Sequence, residues 1–262
     1  VSLGNVEGSA PLEFRVRVRQ GAAPLIALPR RVGKVAGPDA RTAQGLYEPL
    51  APELAQRIRA NVRPDAVGDV LAAWPLPAEI VLGWGVGYAQ PKLWISDPEQ
   101  RKDFWTTPAG QLVGSVDTPW AGSWPGDLAY DDNHGLIWQV NVGGDNGLYG
   151  LDPQTGEVVA VIDDPQWSAV SQRGVAYRDD NDTLYVGGWN EDIIYQVKGL
   201  SWDQPGQVLA AWSLSGAGIS GLAWHPDGLL WVATNSPGDY IYGLDLETLE
   251  IVYQLPGPSG GA

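Results

Sequence analysis

The sequence predicts an all-β fold, a β-propeller of four four-stranded blades, and two observations carry that prediction. Leu128-Ala129-Tyr130, Val175-Ala176-Tyr177 and Leu222-Ala223-Trp224 repeat one pattern at an interval of 47 residues. The rest of each unit keeps step: Trp138, Tyr185 and Trp231 recur at intervals of 47 and 46, and Tyr149, Tyr195 and Tyr242 at 46 and 47. A period of about 40–50 residues carrying several short apolar strands is the signature of blades, small sheets that bury their faces only by stacking on one another.

The first blade is expected over Val81–Tyr88, Lys92–Ser96, Lys102–Thr106 and Gln111–Val116, and the second over Asp127–Tyr130, Leu136–Val142, Gly147–Leu151 and Glu157–Ile162. The third runs Gly174–Tyr177, Thr183–Gly187, Asp192–Val197 and Gln207–Leu214; the fourth runs Ile219–Trp224, Leu229–Thr234, Tyr240–Leu244 and Glu250–Leu255. Between these strands lie Asp-Asn-His-Gly (132–135), Asp-Pro-Gln-Thr-Gly (152–156) and His-Pro-Asp-Gly (225–228). They place Asn, Asp, Pro and Gly where tight turns need a preset or positive φ.

Residues 1–69 do not repeat and are read as an N-terminal arm ahead of a propeller at 70–262. Leu12, Phe14, Val16 and Val18 alternate with Glu13, Arg15, Arg17 and Arg19, the pattern of a half-buried strand over residues 12–19. Pro52–Ala60 reads as a short helix, with Pro52 near its start and Pro64 just beyond its end. Val70-Leu-Ala-Ala-Trp74 recurs verbatim at Val208–Trp212, the outer strand of the third blade. Residues 70–76 therefore look like the outer strand of a further blade, either a degenerate fifth blade supplied by the arm or a ring closed by strands from elsewhere.

Composition narrows the function. Cysteine is absent, which excludes disulfides, thiolate chemistry and Cys-based metal sites. Methionine is absent even at position 1, so Val1 follows a processing or fragment boundary, and a cleaved export signal gives the expectation of an extracellular location. Residues 1–69 hold ten Lys/Arg and seven Asp/Glu, while residues 70–262 hold six and twenty-four. A body this acidic repels nucleic acid and anionic lipid, and no apolar run is long enough for membrane insertion. A basic arm, by contrast, suits an acidic body, its own or a neighbour's.

Catalytic motifs are not found. His134 and His225 are the two histidines, both in turns, too few for a Ser-His-Asp triad or a His-rich metal site. Gly83-Trp-Gly-Val-Gly87 lacks the spacing of a phosphate-binding loop and has no helix after it. Asp131-Asp-Asn133 and Asp179-Asp-Asn-Asp182 lack the Gly and Glu of a calcium-binding loop. Asn181-Asp-Thr183 is a formal glycosylation sequon. No catalytic residue, metal or cofactor is expected.

Because propeller strands alternate in direction, the blade-to-blade links and the second-to-third-strand loops share one face. That face is expected to collect Trp120, Trp124, Trp167 and Trp189 with Asn141, Asp145 and Asn190. Indole plates beside amides and carboxylates suit glycan or protein contacts, and they equally suit capping the ends of sheets.

The stretches Asp127-Leu-Ala-Tyr130, Leu136-Ile-Trp-Gln-Val-Asn-Val-Gly-Gly-Asp-Asn146, Ser171-Gln-Arg-Gly-Val-Ala-Tyr177, Tyr185-Val-Gly-Gly-Trp-Asn190 and Ile219-Ser-Gly-Leu-Ala-Trp224 resemble the YVTN/NHL-like propeller repeats of large secreted bacterial proteins, as appended to subtilisin-like serine peptidases. The resemblance covers roughly residues 80–245 and implies an extracellular, non-catalytic propeller. The peptidase domain is absent, so peptidase activity is not implied.

Two functions follow as expectations. In the first, the chain is a structural subunit, a homo-oligomer or polymer, whose arm (Leu12, Phe14, Arg15, Val16, Arg17, Val18, Arg19) adds as a strand to a neighbour's acidic propeller. In the second, it is an accessory module that binds a glycan or protein through the Trp-bearing face. A metal-dependent propeller enzyme is disfavoured, because the innermost strands offer Asp127 and otherwise mainly Gly, Ala, Val and aromatics.

Overall fold

A computed structural model describes residues 68, 73–118, 124–235 and 240–257. The expected strand and helix of the arm, and Trp120, lie outside the described residues. Four antiparallel sheets form a four-bladed β-propeller. The first is β1 (Val86–Ala89), β2 (Lys92–Asp97), β3 (Lys102–Thr106) and β4 (Leu112–Asp117); the second is β5 (Trp124–Asp131), β6 (Leu136–Val142), β7 (Leu148–Leu151) and β8 (Val158–Ile162). The third is β9 (Gly174–Arg178), β10 (Thr183–Gly188), β11 (Ile193–Lys198) and β12 (Val208–Ser213). The fourth is β13 (Ile219–Trp224), β14 (Leu230–Thr234), β15 (Tyr240–Asp245) and β16 (Glu250–Pro256). A single-turn helix, α1 (Pro165–Ser168), capped by Asp164 and opened by Pro165, sits in the link from β8 to β9.

Each blade carries a register shift at the same place, between its third and fourth strands: Trp105/Thr106, Gly150/Leu151, Gln196/Val197 and Gly243/Leu244. An extra residue there bends the outer strand and increases twist, which lets each sheet lie against the next.

The blades are held by three apolar interfaces. Trp94, Leu128, Ile137 and Leu151 join the first and second. Trp138, Val140, Trp167, Val175 and Leu184 join the second and third. Tyr185, Ile194, Leu222, Val232 and Tyr242 join the third and fourth. Glycines allow the close approach of inner strands: a Cβ on Gly85 would stand 2.5 Å from Asp127 Cα, and one on Gly174 2.7 Å from Leu222 Cγ.

The first blade departs from its expected boundary. Residues 81–83, expected as strand, make no backbone bonds to β2; Trp84 N donates to Ser96 O at 2.9 Å and Gly85 O accepts Ser96 N at 3.0 Å, and the regular strand begins at Val86. Instead the Asp97 carboxylate, fully buried, accepts the backbone N–H groups of Val81 at 2.8 Å and Leu82 at 3.1 Å, together with those of Glu99 and Gln100. Anchored this way, Ile80 packs onto Ile95 and Phe104, and Leu76 lies over Gly83. Residues 73–80 form no strand either, so Ala73 and Trp74, within the segment that repeats Val208–Trp212, follow a different path from β12. They act as a strap over the blade's outer side, Trp74 resting on Gly110.

Packing is continuous from the first blade to the fourth, β1 on β5, β5 on β9 and β9 on β13. Between the fourth blade and the first lies a cavity of about 530 Å3, lined by Trp84 and Val86 on one side and by Gly221, Ala223, Trp231, Ala233 and Ile241 on the other.

Candidate functional site

The axial end of that cavity is organised by Asp127, which is buried. Its Oδ2 accepts the backbone N–H of Leu222 at 2.9 Å and of Val175 at 3.2 Å, tying the inner strands of the second, third and fourth blades. Burial pushes its carboxyl up to about 7, and backbone hydrogen bonds from Leu222, Val175, Leu128 and Val86 act in the opposite sense. This residue is a structural hub on the axis. Its acceptor sites are filled by amides from the very strands it joins.

On the face that carries the blade-to-blade links, Trp84, Trp124, Arg173 and Trp189 come together. The Arg173 guanidinium carbon lies 4.6 Å from the Trp189 ring centre and 5.2 Å from that of Trp84, a cation held between two indoles. Trp124 meets Trp84 edge-on at 5.6 Å. Backbone bonds fix the arginine: Arg173 N donates to Gly187 O at 2.8 Å, and its carbonyl accepts Asp127 N at 3.2 Å. Its Nε is fully buried with no acceptor, and no carboxylate pairs with the guanidinium among the described residues. Burial lowers its pKa. Lys102, Arg178 and Lys198, by comparison, are paired with Asp117, Asp180 and Asp203.

The residues expected on this face divide into three groups. Trp124 is 45 % exposed, Asn190 is exposed and Trp189 is half-buried against Arg173. Asn141 and Asp145 form a local network: Asn141 Nδ2 donates to Asp145 Oδ1 at 2.6 Å, and the same carboxylate accepts Gly147 N and the Tyr149 hydroxyl. Trp167 is a correction. Its ring is fully buried between the second and third blades, with Nε1 donating to Gly206 O at 2.9 Å, so it presents no plate to a ligand. The cause is α1, whose single turn swings the indole inward.

Sequence reasoning missed Trp84 and Arg173. Arg173 is one of six Lys/Arg in residues 70–262, placed just before an inner strand, and that isolation was the available signal.

On the opposite face Asp131, His134 and Asp182 bring ligand-type atoms within 4.8 Å of one another. Protein groups already occupy them: Trp138 Nε1 and His134 N donate to Asp131 at 3.0 and 2.9 Å, and Ser201 N and the Tyr177 hydroxyl donate to Asp182 at 2.6 and 3.0 Å. With Asn133 donating to the Tyr177 hydroxyl and to Asp179 O, the cluster clips the second blade to the third.

No protein-family model matches the sequence, and no curated protein matches it. Among solved structures, a Bacteroides caccae protein of unknown function superposes with a TM-score of 0.50 and 17 % identity, over 70 % of this chain and 63 % of its own. A streptogramin B lyase follows at a TM-score of 0.48 and 18 % identity, over 67 % and 55 %, and the Pan2 WD40 domain of Neurospora crassa at 0.46 and 13 %, over 66 % and 49 %. The chain therefore spans less than two thirds of the length of each. The likeness to the first agrees with a β-propeller and speaks to fold alone.

Proposed function

We propose that the protein is a non-catalytic, extracellular structural propeller whose basic N-terminal arm fills the sector between the fourth and first blades, and that exchange of this arm between copies builds an oligomer or polymer. One observation carries the reading. Trp94, Trp138, Tyr185 and Trp231 occupy equivalent positions on the second strands of successive blades; the first three are buried by the blade that follows, while Trp231 is only half-buried and lines the cavity. A sheet face bearing Trp231, Ala233, Ile241 and Tyr253 calls for a following layer. The position of Gly68 supports this: a Cβ there would lie 2.8 Å from Leu255 of β16, while Trp74 and Leu76 just after it are seated on the first blade.

The alternating residues 12–19 give such a layer an apolar side and an arginine side, and the arginines meet a propeller body with an acidic excess. The resemblance to secreted YVTN/NHL-like repeats supports the extracellular placement. Light scattering tests the assembly. The full chain is expected to self-associate at low salt, to dissociate at about 0.5 M salt where screening is nearly complete, and to lose association when residues 1–20 are deleted. Undiminished association of the deletion variant would overturn the reading.

A second reading, favoured by the exposed ring of Trp124 against Trp84, which in turn contacts Arg173, is ligand binding at the Trp-bearing face. A glycan array tests it through loss of binding in Trp124→Ala.

A further inference from the structure

Resting on that second reading, we infer that Trp84, Arg173 and Trp189, with Trp124 beside them, form a subsite for a saccharide bearing a single uronic-acid carboxylate. Arg173 is half-buried, and a guanidinium whose Nε–H is shut off from water gains from an anion at its open side. This one has two indole rings and a buried, unaccepted Nε–H, with no carboxylate at hand among the described residues. Contact with Trp84 and Trp189 restricts the rotamers of the guanidinium and so pre-positions its fork, beside the cavity that Trp84 also lines. Carboxylate is the anion whose two oxygens match such a fork.

Two further features select the rest of the ligand. Trp124 is 45 % exposed and sits edge-on to Trp84, giving a free apolar plate beside the cation, the surface against which the C–H face of a pyranose ring packs. Asn190 adds an exposed amide after Trp189 for hydroxyl contacts. The charge balance of residues 70–262, six cations against twenty-four anions, disfavours a polyanion. One guanidinium in an acidic surround matches one carboxylate, a sugar chain that is neutral apart from a single uronate.

The test is a titration of the full chain, read by tryptophan fluorescence and calorimetry, with aldotetraouronic acid. Xylotetraose serves as its neutral counterpart, and a short peptide with one glutamate as a non-sugar carboxylate. Aldotetraouronic acid is expected to bind at least about tenfold tighter than either control. Arg173→Gln is expected to erase that preference, and Arg173→Lys to keep only part of it, because a point charge replaces the fork. Trp124→Ala, at an exposed position, is expected to weaken binding about tenfold with an unchanged melting temperature. Equal binding of the neutral sugar, or a preference that survives Arg173→Gln, would overturn the inference. Tighter binding of the glutamate peptide would overturn its saccharide part. Array binding of neutral glycans alone, lost in Trp124→Ala, would sink the acidic subsite and leave the second reading standing; a blank array together with a silent titration would sink both.

Discussion

Gln139 Nε2 donates to Asp103 Oδ1 at 2.7 Å in the interior between the first and second blades, and the outer atoms of the pair, Asp103 Oδ2 and Gln139 Oε1, have no other partner. Protonation would make Oδ2 a donor, and Gln139 Oε1 is a buried acceptor on the same neighbouring amide that is still without one. Burial agrees, raising the Asp103 carboxyl to about 7. Asp127 is raised to about 7 by the same cause. Both folded-state values lie above the ordinary 3.8, so the native chain holds protons that the unfolded chain releases. Their stabilising contribution is full below about pH 4 and is lost as pH rises through about 7, with a slope of up to about 1.4 kcal/mol per pH unit for each group. Urea unfolding from pH 5 to 8 is expected to show that decline. Asp103→Asn supplies a permanent N–H that does not titrate, and is expected to stabilise by up to about 1–2 kcal/mol at pH 5 and by more at pH 8. Destabilisation by this variant at both pH values would contradict the pairing.

Asp127 is expected to matter through its acceptors. Asp127→Ala strands the backbone N–H groups of Leu222 and Val175 in the interior and should cost about 2–4 kcal/mol. Asp127→Asn retains one acceptor oxygen and should cost about half as much or less. Equal losses for the two variants in denaturant melts would show that shape, not hydrogen bonding, sets the role of this side chain.

Trp167 and Trp124 looked alike in sequence and are expected to separate in stability. Trp167→Ala removes a fully buried ring between two blades and should cost about 3–5 kcal/mol. Trp124→Ala, at a 45 % exposed position, should cost less than about 1 kcal/mol. Thermal or urea unfolding of the two variants checks the contrast.

Gly85 has no room for a methyl group, since a Cβ would meet the backbone of Gly126 and Asp127. Gly85→Ala is therefore expected to prise the first and second inner strands apart and cost more than about 2 kcal/mol, as overpacking against backbone does. Gly135, at φ 68° with nothing near its Cβ position, should cost only about 1 kcal/mol when changed to Ala, for the backbone conformation alone.

Metal ions are expected to leave the protein unchanged. The Asp131, His134 and Asp182 atoms already accept or share hydrogen bonds from Trp138, Ser201 and Tyr177. Calcium or zinc at about 1 mM, or a chelator, should therefore shift the melting temperature by less than about 1 °C; an ion bound only by the folded state would raise it.

What could be read from the chain alone was whatever repeats. The Ala-aromatic ends of the inner strands and the Trp138, Tyr185 and Trp231 positions fixed fold class and strand order, because residues that pack against a neighbouring blade must recur with the blade. Strands Leu136–Val142 and Ile219–Trp224 fall where the period puts them. The start of the first blade was not legible: residues 81–85 are apolar and glycine-rich like a strand, yet a single buried carboxylate, Asp97, takes their leading N–H groups. The burial of Trp167 was hidden for a related reason, since one helical turn decides which way its ring faces.

By itself, then, the sequence determined a stack of small antiparallel sheets and its acidic body. Tertiary structure alone decided that Asp127 ties the blades together on the axis, that Arg173 lies between Trp84 and Trp189 with no counter-charge among the described residues, and that Trp231 fronts a cavity where its counterparts are covered. The physical reason is range. Strand patterns follow from neighbours two residues apart, whereas Leu222 stands 95 residues from the carboxylate that receives its N–H, and no local pattern encodes that meeting.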